Sequence, residues 1–167
     1  MAGIYIHIPF CKQKCHYCDF YFSTSLKNQN QLIDAICKEL SMQNHFFKKG
    51  KVNTIYLGGG TPSLLTNQQI EKIFNTIQRH YNTTNNTEVT IEANPDDLNK
   101  TKVKMLSLSP INRLSVGVQS FHNDDLNFLN RAHNSSQAIS SIKNAQNKGF
   151  KNISIDLIYA IQTLSLE

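Results

Sequence analysis

Three of the four cysteines, Cys11, Cys15 and Cys18, fall within eight residues of one another. The spacing Cys-x3-Cys-x2-Cys puts three thiolates on one tight loop and suits three corners of a cubane iron–sulfur cluster, leaving the fourth iron without a protein ligand. An open coordination position marks a metal that does chemistry, in contrast to one that only holds a fold. Two other readings stand beside it: a zinc site completed by His7 or His16, and thiols that bind no metal and are inert or regulatory. No second Cys or His pair at knuckle spacing accompanies the loop. Cys37 falls in the apolar stripe of a helix and reads as core. His7, His16 and His133 receive no catalytic role, because a lone histidine is more often a packing or surface residue.

The elements that must position this loop alternate between strand and helix. Residues 4–8 alternate with period two and place Ile4, Ile6 and Ile8 on one face and Tyr5 and His7 on the other. Pro9 and Phe10 end that strand and deliver the chain into the cysteine loop. Helical spacing of Leu32, Ile33, Ile36, Cys37, Leu40 and Phe47 predicts a helix over 28–47, closed by Lys48-Lys49-Gly50-Lys51. A strand at 52–57 runs into Gly58-Gly59-Gly60-Thr61-Pro62-Ser63, and Thr66 to Gln69 has capping-box spacing for a helix with face Ile70, Ile73, Phe74 and Ile77. Residues 82–87 read as a polar loop and 88–93 as a strand ended by Asn94-Pro95; a helix is expected over 96–107. A fourth strand covers 113–118 with Gln119 at its tip. Helices are expected over 123–131 and 135–148, the latter with Ala138, Ile139, Ile142 and Ala145 inside, and a fifth strand over 152–159.

This rhythm predicts an α/β fold of βαβ units around a parallel sheet, either an open doubly wound sheet or part of a barrel. Tyr5, His7, Glu92, Gln119 and Asp156 fall on the non-aliphatic faces of their strands, mostly near C-terminal ends, where ligands bind in α/β folds. In isolation the glycines read as a strand-to-helix turn, Glu92 and Arg131 as an ordinary ion pair, and Asp156 as a strand-end cap.

Composition sets the outer limits. The 167 residues, 40% hydrophobic and 17% charged, are enough for one sizeable core. The net charge of +5 is spread along the chain, which argues against a nucleic-acid partner. No run has the length of a membrane span, and the first twenty residues lack the order of a signal peptide, so a cytoplasmic protein with reduced thiols is expected.

The cysteine spacing, with Tyr17 before the last cysteine, resembles the signature of the radical S-adenosylmethionine (radical SAM) enzymes. Tyr5-Ile-His-Ile-Pro-Phe-Cys11, Gly58-Gly-Gly-Thr-Pro-Ser63, Ile91-Glu-Ala-Asn-Pro95, Arg113 to Phe121, Leu129-Asn-Arg-Ala-His133 and Asp156-Leu-Ile-Tyr159 together resemble one branch, that of oxygen-independent coproporphyrinogen III oxidase and its heme-chaperone relatives. The resemblance implies a partial (β/α)6 TIM-like barrel of which the first five β/α units are present. It implies a [4Fe-4S] cluster on Cys11, Cys15 and Cys18, with S-adenosylmethionine on the fourth iron; an electron from the cluster would then yield a 5′-deoxyadenosyl radical. It implies that Tyr5 and Tyr17 lie near the bound cofactor, Tyr17 by its adenine. Gly59, Gly60 and Thr61 would approach its methionyl group, Glu92 its ribose or amino group, Arg131 its carboxylate, and Gln119 and Asp156 its ribose.

Two departures from the branch carry information. The oxidase has a further cysteine two positions after its third cluster ligand, whereas this chain has Phe20, which favours a heme chaperone that binds heme and passes it to acceptor proteins. The alternative is the oxidase itself, which removes carbon dioxide from two propionates to leave vinyls. Heme or a porphyrinogen, a flavodoxin- or ferredoxin-type electron donor and heme-acceptor proteins are the partners implied. The branch usually follows Asp-Leu-Ile-Tyr with Gly, an apolar residue and Pro, but here Ala160-Ile161-Gln162-Thr163 follows. The resemblance therefore implies that residues 1–167 are a truncated core, lacking the branch's C-terminal domain and leaving the last strand as an uncovered edge.

Overall fold

The computed structural model describes residues 2–47 and 50–163. Ten regular elements follow one another as β1 (Ala2–Ile8), α1 (Gln29–Met42), β2 (Lys51–Gly59), α2 (Asn67–His80), β3 (Asn82–Ala93), α3 (Lys100–Ser107), β4 (Arg113–Gln119), α4 (Asn123–Phe128), α5 (Ser135–Asn147) and β5 (Asn152–Leu157). The five strands are parallel and hydrogen-bonded in the order in which they occur in the chain. A doubly wound sheet reverses its strand order at a switch point. This sheet has no reversal, so the barrel alternative holds: successive crossovers lay each strand beside the last, as along the wall of a barrel.

One face of the sheet is aliphatic. Ile4, Ile6, Ile8, Ile55, Leu57, Val89, Ile91, Leu114, Val116 and Val118 are all buried, and they form one core with the helix residues Ile33, Ile70, Ile73, Ile77, Val103, Leu106, Ala138 and Ala145. Period-two alternation then gives the other face Tyr5, His7, Tyr56, Thr90, Glu92, Arg113, Ser115, Ser154 and Asp156. Register aligns these polar positions across strands: Tyr5 pairs with Tyr56, Glu92 with Ser115, and Gly117 with Asp156. Helix α2 starts where its capping box was expected, with Thr66 and Gln69 exchanging side-chain and backbone hydrogen bonds. The Tyr81 hydroxyl, donating to the Leu40 carbonyl at 2.8 Å, ties the end of α2 to α1.

Several boundaries differ from the expected ones for local reasons. The polar stretch 82–87 is not a loop: Asn82 and Thr83 pair with Lys51 and Val52, and β3 runs through it. Backbone pairing holds this part of the strand, and Thr87 turns inward to donate to the Val52 carbonyl at 3.0 Å. The first helix stops at Met42 and a 3-10 turn covers Asn44–Phe47; the expected closure at Lys48 and Lys49 lies outside the described residues. Pro95–Asp97 forms a separate 3-10 turn, because Asn99 caps α3 by accepting from the Lys102 N–H at 2.9 Å. Helix α4 ends at Phe128, and Asn130 then takes a positive φ of 54°. In α5 Ile139 points outward; Ser141 takes the buried place and donates to the Ala138 carbonyl at 2.8 Å. Strand β5 ends at Leu157, with Ile155, Leu157 and Tyr159 exposed. Among the described residues no helix is long and apolar enough to cross a membrane.

Candidate functional site

The C-terminal ends of the strands open onto one pocket. Cys11, Cys15 and Cys18 line it together with Tyr17, Gly59, Gly60, Thr61, Glu92, Gln119, Arg131 and Asp156. These are all the residues singled out from the sequence except Tyr5. Tyr5 instead borders a neighbouring groove with His7 and Leu32, its ring stacked on Tyr56 at 6.0 Å between centroids and its hydroxyl 3.1 Å from His7 Nδ1.

The cysteine loop is docked on a segment more than a hundred residues away. The His16 N–H donates to the Leu129 carbonyl at 3.1 Å and His16 Nδ1–H to the Phe128 carbonyl at 2.7 Å. Gln13 donates to the Asn130 carbonyl at 2.8 Å, and the Asn130 side chain returns a bond to the Lys14 carbonyl at 2.6 Å. Lys12 pairs with Asp96, at 2.5 Å, and with Asp97, and Asp97 accepts from Ser63 at 2.6 Å. The loop thus rests on backbone and side-chain bonds from three segments, and its thiols face the pocket with little freedom to stray.

The opposite wall is built from the glycines and Glu92. Gly59 has a φ of +113°, and a side chain there would collide with the His7 ring at 2.6 Å. A side chain at Gly60 would meet the Phe10 carbonyl at 2.8 Å and the Cys11 sulfur at 3.0 Å, so the backbone can pass close to the cysteine loop only as glycine. Glu92 accepts from the Tyr56 hydroxyl at 2.8 Å and from the Gly59 N–H at 3.0 Å. Gln119 holds a positive φ of 69°, a conformation that is unfavourable for a non-glycine residue and clusters at functional sites.

Arg131 is not the partner of Glu92. Its Nη2 donates to Asn94 Oδ1 and to the Gly117 carbonyl, both at 2.7 Å, while Nη1 donates to the Tyr17 hydroxyl at 3.1 Å and the Cys15 sulfur at 3.3 Å. Burial raises the Cys11 thiol, with Thr61 and Arg131 pulling it back down. Burial, reinforced by Cys15 and opposed by Arg131, pushes the Tyr17 phenol up to about 12. Burial and the bond to Glu92 push Tyr56 up to about 12 as well, so it stays a donor. His133 is buried, donates from Nε2 to the Val118 carbonyl at 3.0 Å, and is held below its ordinary value by burial and by Arg131.

Three thiols, Cys11, Cys15 and Cys18, line the pocket. Among the described residues no three His, Cys, Asp or Glu side chains gather round one ion-sized point. The zinc alternative needed His7 or His16; neither lines the pocket. A cubane tolerates separated thiolates because each meets a different iron. The signals that the sequence did not reveal are Tyr56, Asn94, Asn130 and the Lys12–Asp97–Ser63 chain, all of which act across distant segments.

The family model of the radical SAM superfamily matches residues 5–167. The chain belongs to the radical SAM superfamily. Such proteins carry a [4Fe-4S] cluster and S-adenosylmethionine, and the cysteines such a cluster requires are present here. Among curated radical SAM relatives, the heme chaperone HemW of Lactococcus lactis is 41% identical over 163 residues, covering 98% of this chain and 42% of its own length. HemW of Bacillus subtilis is 41% identical over 171 residues, covering 98% of this chain and 44% of its own. The solved structure of coproporphyrinogen III oxidase (HemN) from Escherichia coli superposes with a TM-score of 0.88 at 28% identity, over 96% of this chain and 37% of that one. The five-stranded sheet is therefore an arc of the TIM-like radical SAM barrel, and the chain spans less than half the length of the relatives that it matches.

Proposed function

We propose that this chain is the cluster-bearing part of a heme chaperone, a protein that binds heme and delivers it to acceptor proteins. The observation that carries the reading is the 41% identity to HemW relatives along 98% of the chain. Phe20, exposed at the pocket mouth two positions after Cys18, supports it, because the oxidase branch carries a further thiol there. In this reading Cys11, Cys15 and Cys18 hold the [4Fe-4S] cluster. Gly59, Gly60, Thr61, Glu92, Gln119, Arg131 and Asp156 hold S-adenosylmethionine, with Tyr17 against its adenine and Tyr5 at the pocket's edge. The cluster, when bound, supplies single electrons delivered by a flavodoxin- or ferredoxin-type donor, and the protein works in the cytoplasm. The chain's own contribution is to orient the cofactor: Glu92 is held at both oxygens, the glycines let backbone approach, and the docked loop holds the thiols toward the pocket.

A second reading, decarboxylation of coproporphyrinogen III, is favoured by the superposition on the E. coli oxidase. One experiment separates the two. The chain, reconstituted anaerobically with iron and sulfide, is incubated with coproporphyrinogen III, S-adenosylmethionine and dithionite, and separately titrated with heme. A Soret band of bound heme with no protoporphyrinogen supports the chaperone; formation of protoporphyrinogen overturns it.

A further inference from the structure

The Arg131 guanidinium carries a charge that no neighbouring carboxylate balances. Among the described residues the ion pairs belong to Lys12 and Lys72, and none to Arg131. Its Nη2 edge is fixed by two neutral acceptors, Asn94 Oδ1 and the Gly117 carbonyl, each at 2.7 Å. Glu92, on the same pocket wall, is occupied by Tyr56 and Gly59. The remaining edge, Nη1, is aimed at the cysteine loop, 3.3 Å from the Cys15 sulfur and 3.1 Å from the Tyr17 hydroxyl. On the loop this edge meets a phenol oxygen and a sulfur, and no carboxylate.

We propose that Arg131 sets the ease with which the cluster is reduced, by donating from Nη1 to the Cys15 sulfur and by holding an unbalanced positive charge beside it. The inference rests on the assignment of Cys11, Cys15 and Cys18 as the cluster ligands. Reduction adds one electron, drawn from an external one-electron donor, and so one negative charge. A fixed cation and an N–H···S bond both stabilise that charge and raise the potential, since net charge and hydrogen bonds to the sulfurs are the protein's means of tuning such centres. Asn94 and Gly117 keep the guanidinium plane in place, so the charge does not swing toward solvent.

The test is an EPR-monitored redox titration of the reconstituted full chain without S-adenosylmethionine, comparing the wild type with Arg131→Gln and Arg131→Lys. The expected result is a midpoint more negative in Arg131→Gln, with Arg131→Lys between the two because it keeps charge but loses the fork. A merely structural role would change iron content or melting and leave the midpoint in place. A wild-type midpoint in Arg131→Gln carrying its full iron and sulfide overturns the proposal. If Arg131→Gln does not assemble, wild type labelled with 15N-arginine decides: a 15N coupling to the reduced cluster that vanishes in Arg131→Lys supports it, and no coupling overturns it. Wild type that takes up no iron at all removes the cluster assignment itself, a different result from a cluster with an unmoved midpoint.

Discussion

The Tyr56 hydroxyl donates to Glu92 at 2.8 Å, across the pairing of β2 with β3, while the Gly59 N–H holds the other carboxylate oxygen at 3.0 Å. Glu92 is therefore fixed before any ligand arrives. Tyr56→Phe removes one neutral donor to a charged group and should weaken S-adenosylmethionine binding roughly 2- to 10-fold, while Glu92→Gln, which sets donor against donor, should weaken it by about 10-fold or more. Calorimetric titration of the cluster-loaded chain measures both; unchanged affinity in Glu92→Gln would remove that residue from the site.

Ala160 adopts a φ of +57°, the left-handed region where a Cβ is unfavourable. The branch that the sequence resembles usually has glycine at this position. Ala160→Gly should relieve the strain and stabilise the fold by about 1 kcal/mol, raising Tm by roughly 2 to 4 °C. A fall in Tm would show that neighbouring contacts, not backbone strain, dominate there.

Asp125 is buried in α4, within the connection from β4 to α5. Burial alone would raise its carboxyl, but donation from Ser120 at 2.5 Å and from Thr163, helped by His122, holds it below the ordinary carboxylate value. Its folded value lies below its unfolded value of about 3.9, so the stability it contributes is fully present above that pH and is lost as pH falls through the folded value. Asp125→Asn should lower Tm at neutral pH, with the gap to wild type closing below about pH 4. A gap that stays constant across the acid range would contradict the assignment.

Much of the fold and of the pocket is legible in the sequence. Ile4, Ile6 and Ile8 against Tyr5 and His7 declare a strand with two unlike faces, and the same alternation put Glu92, Gln119 and Asp156 on one wall, where the pocket lies. Spacing alone placed three thiols on one loop. What escaped was non-local. The polar residues 82–87 carry no hydrophobic alternation, yet their backbone pairs with β2. Ile139 has the right spacing to be inside, but Ser141 fits the tighter gap and satisfies its own hydroxyl. Asn130 reaches Lys14 across 116 positions, a contact with no local signature. Tyr5 belongs to the correct face but sits one strand outside the pocket, beside Tyr56.

The central claim is that Cys11, Cys15 and Cys18 present a [4Fe-4S] cluster to S-adenosylmethionine in the pocket shared with Glu92 and Arg131. The most direct measurement is the EPR spectrum of the reduced, anaerobically reconstituted chain before and after S-adenosylmethionine is added. The expected result is a cluster signal that changes on addition of S-adenosylmethionine. Cys11→Ala, Cys15→Ala or Cys18→Ala should lose the signal, and Cys37→Ala should keep it. A signal indifferent to S-adenosylmethionine, or a protein that takes up one zinc and no cluster, would contradict it.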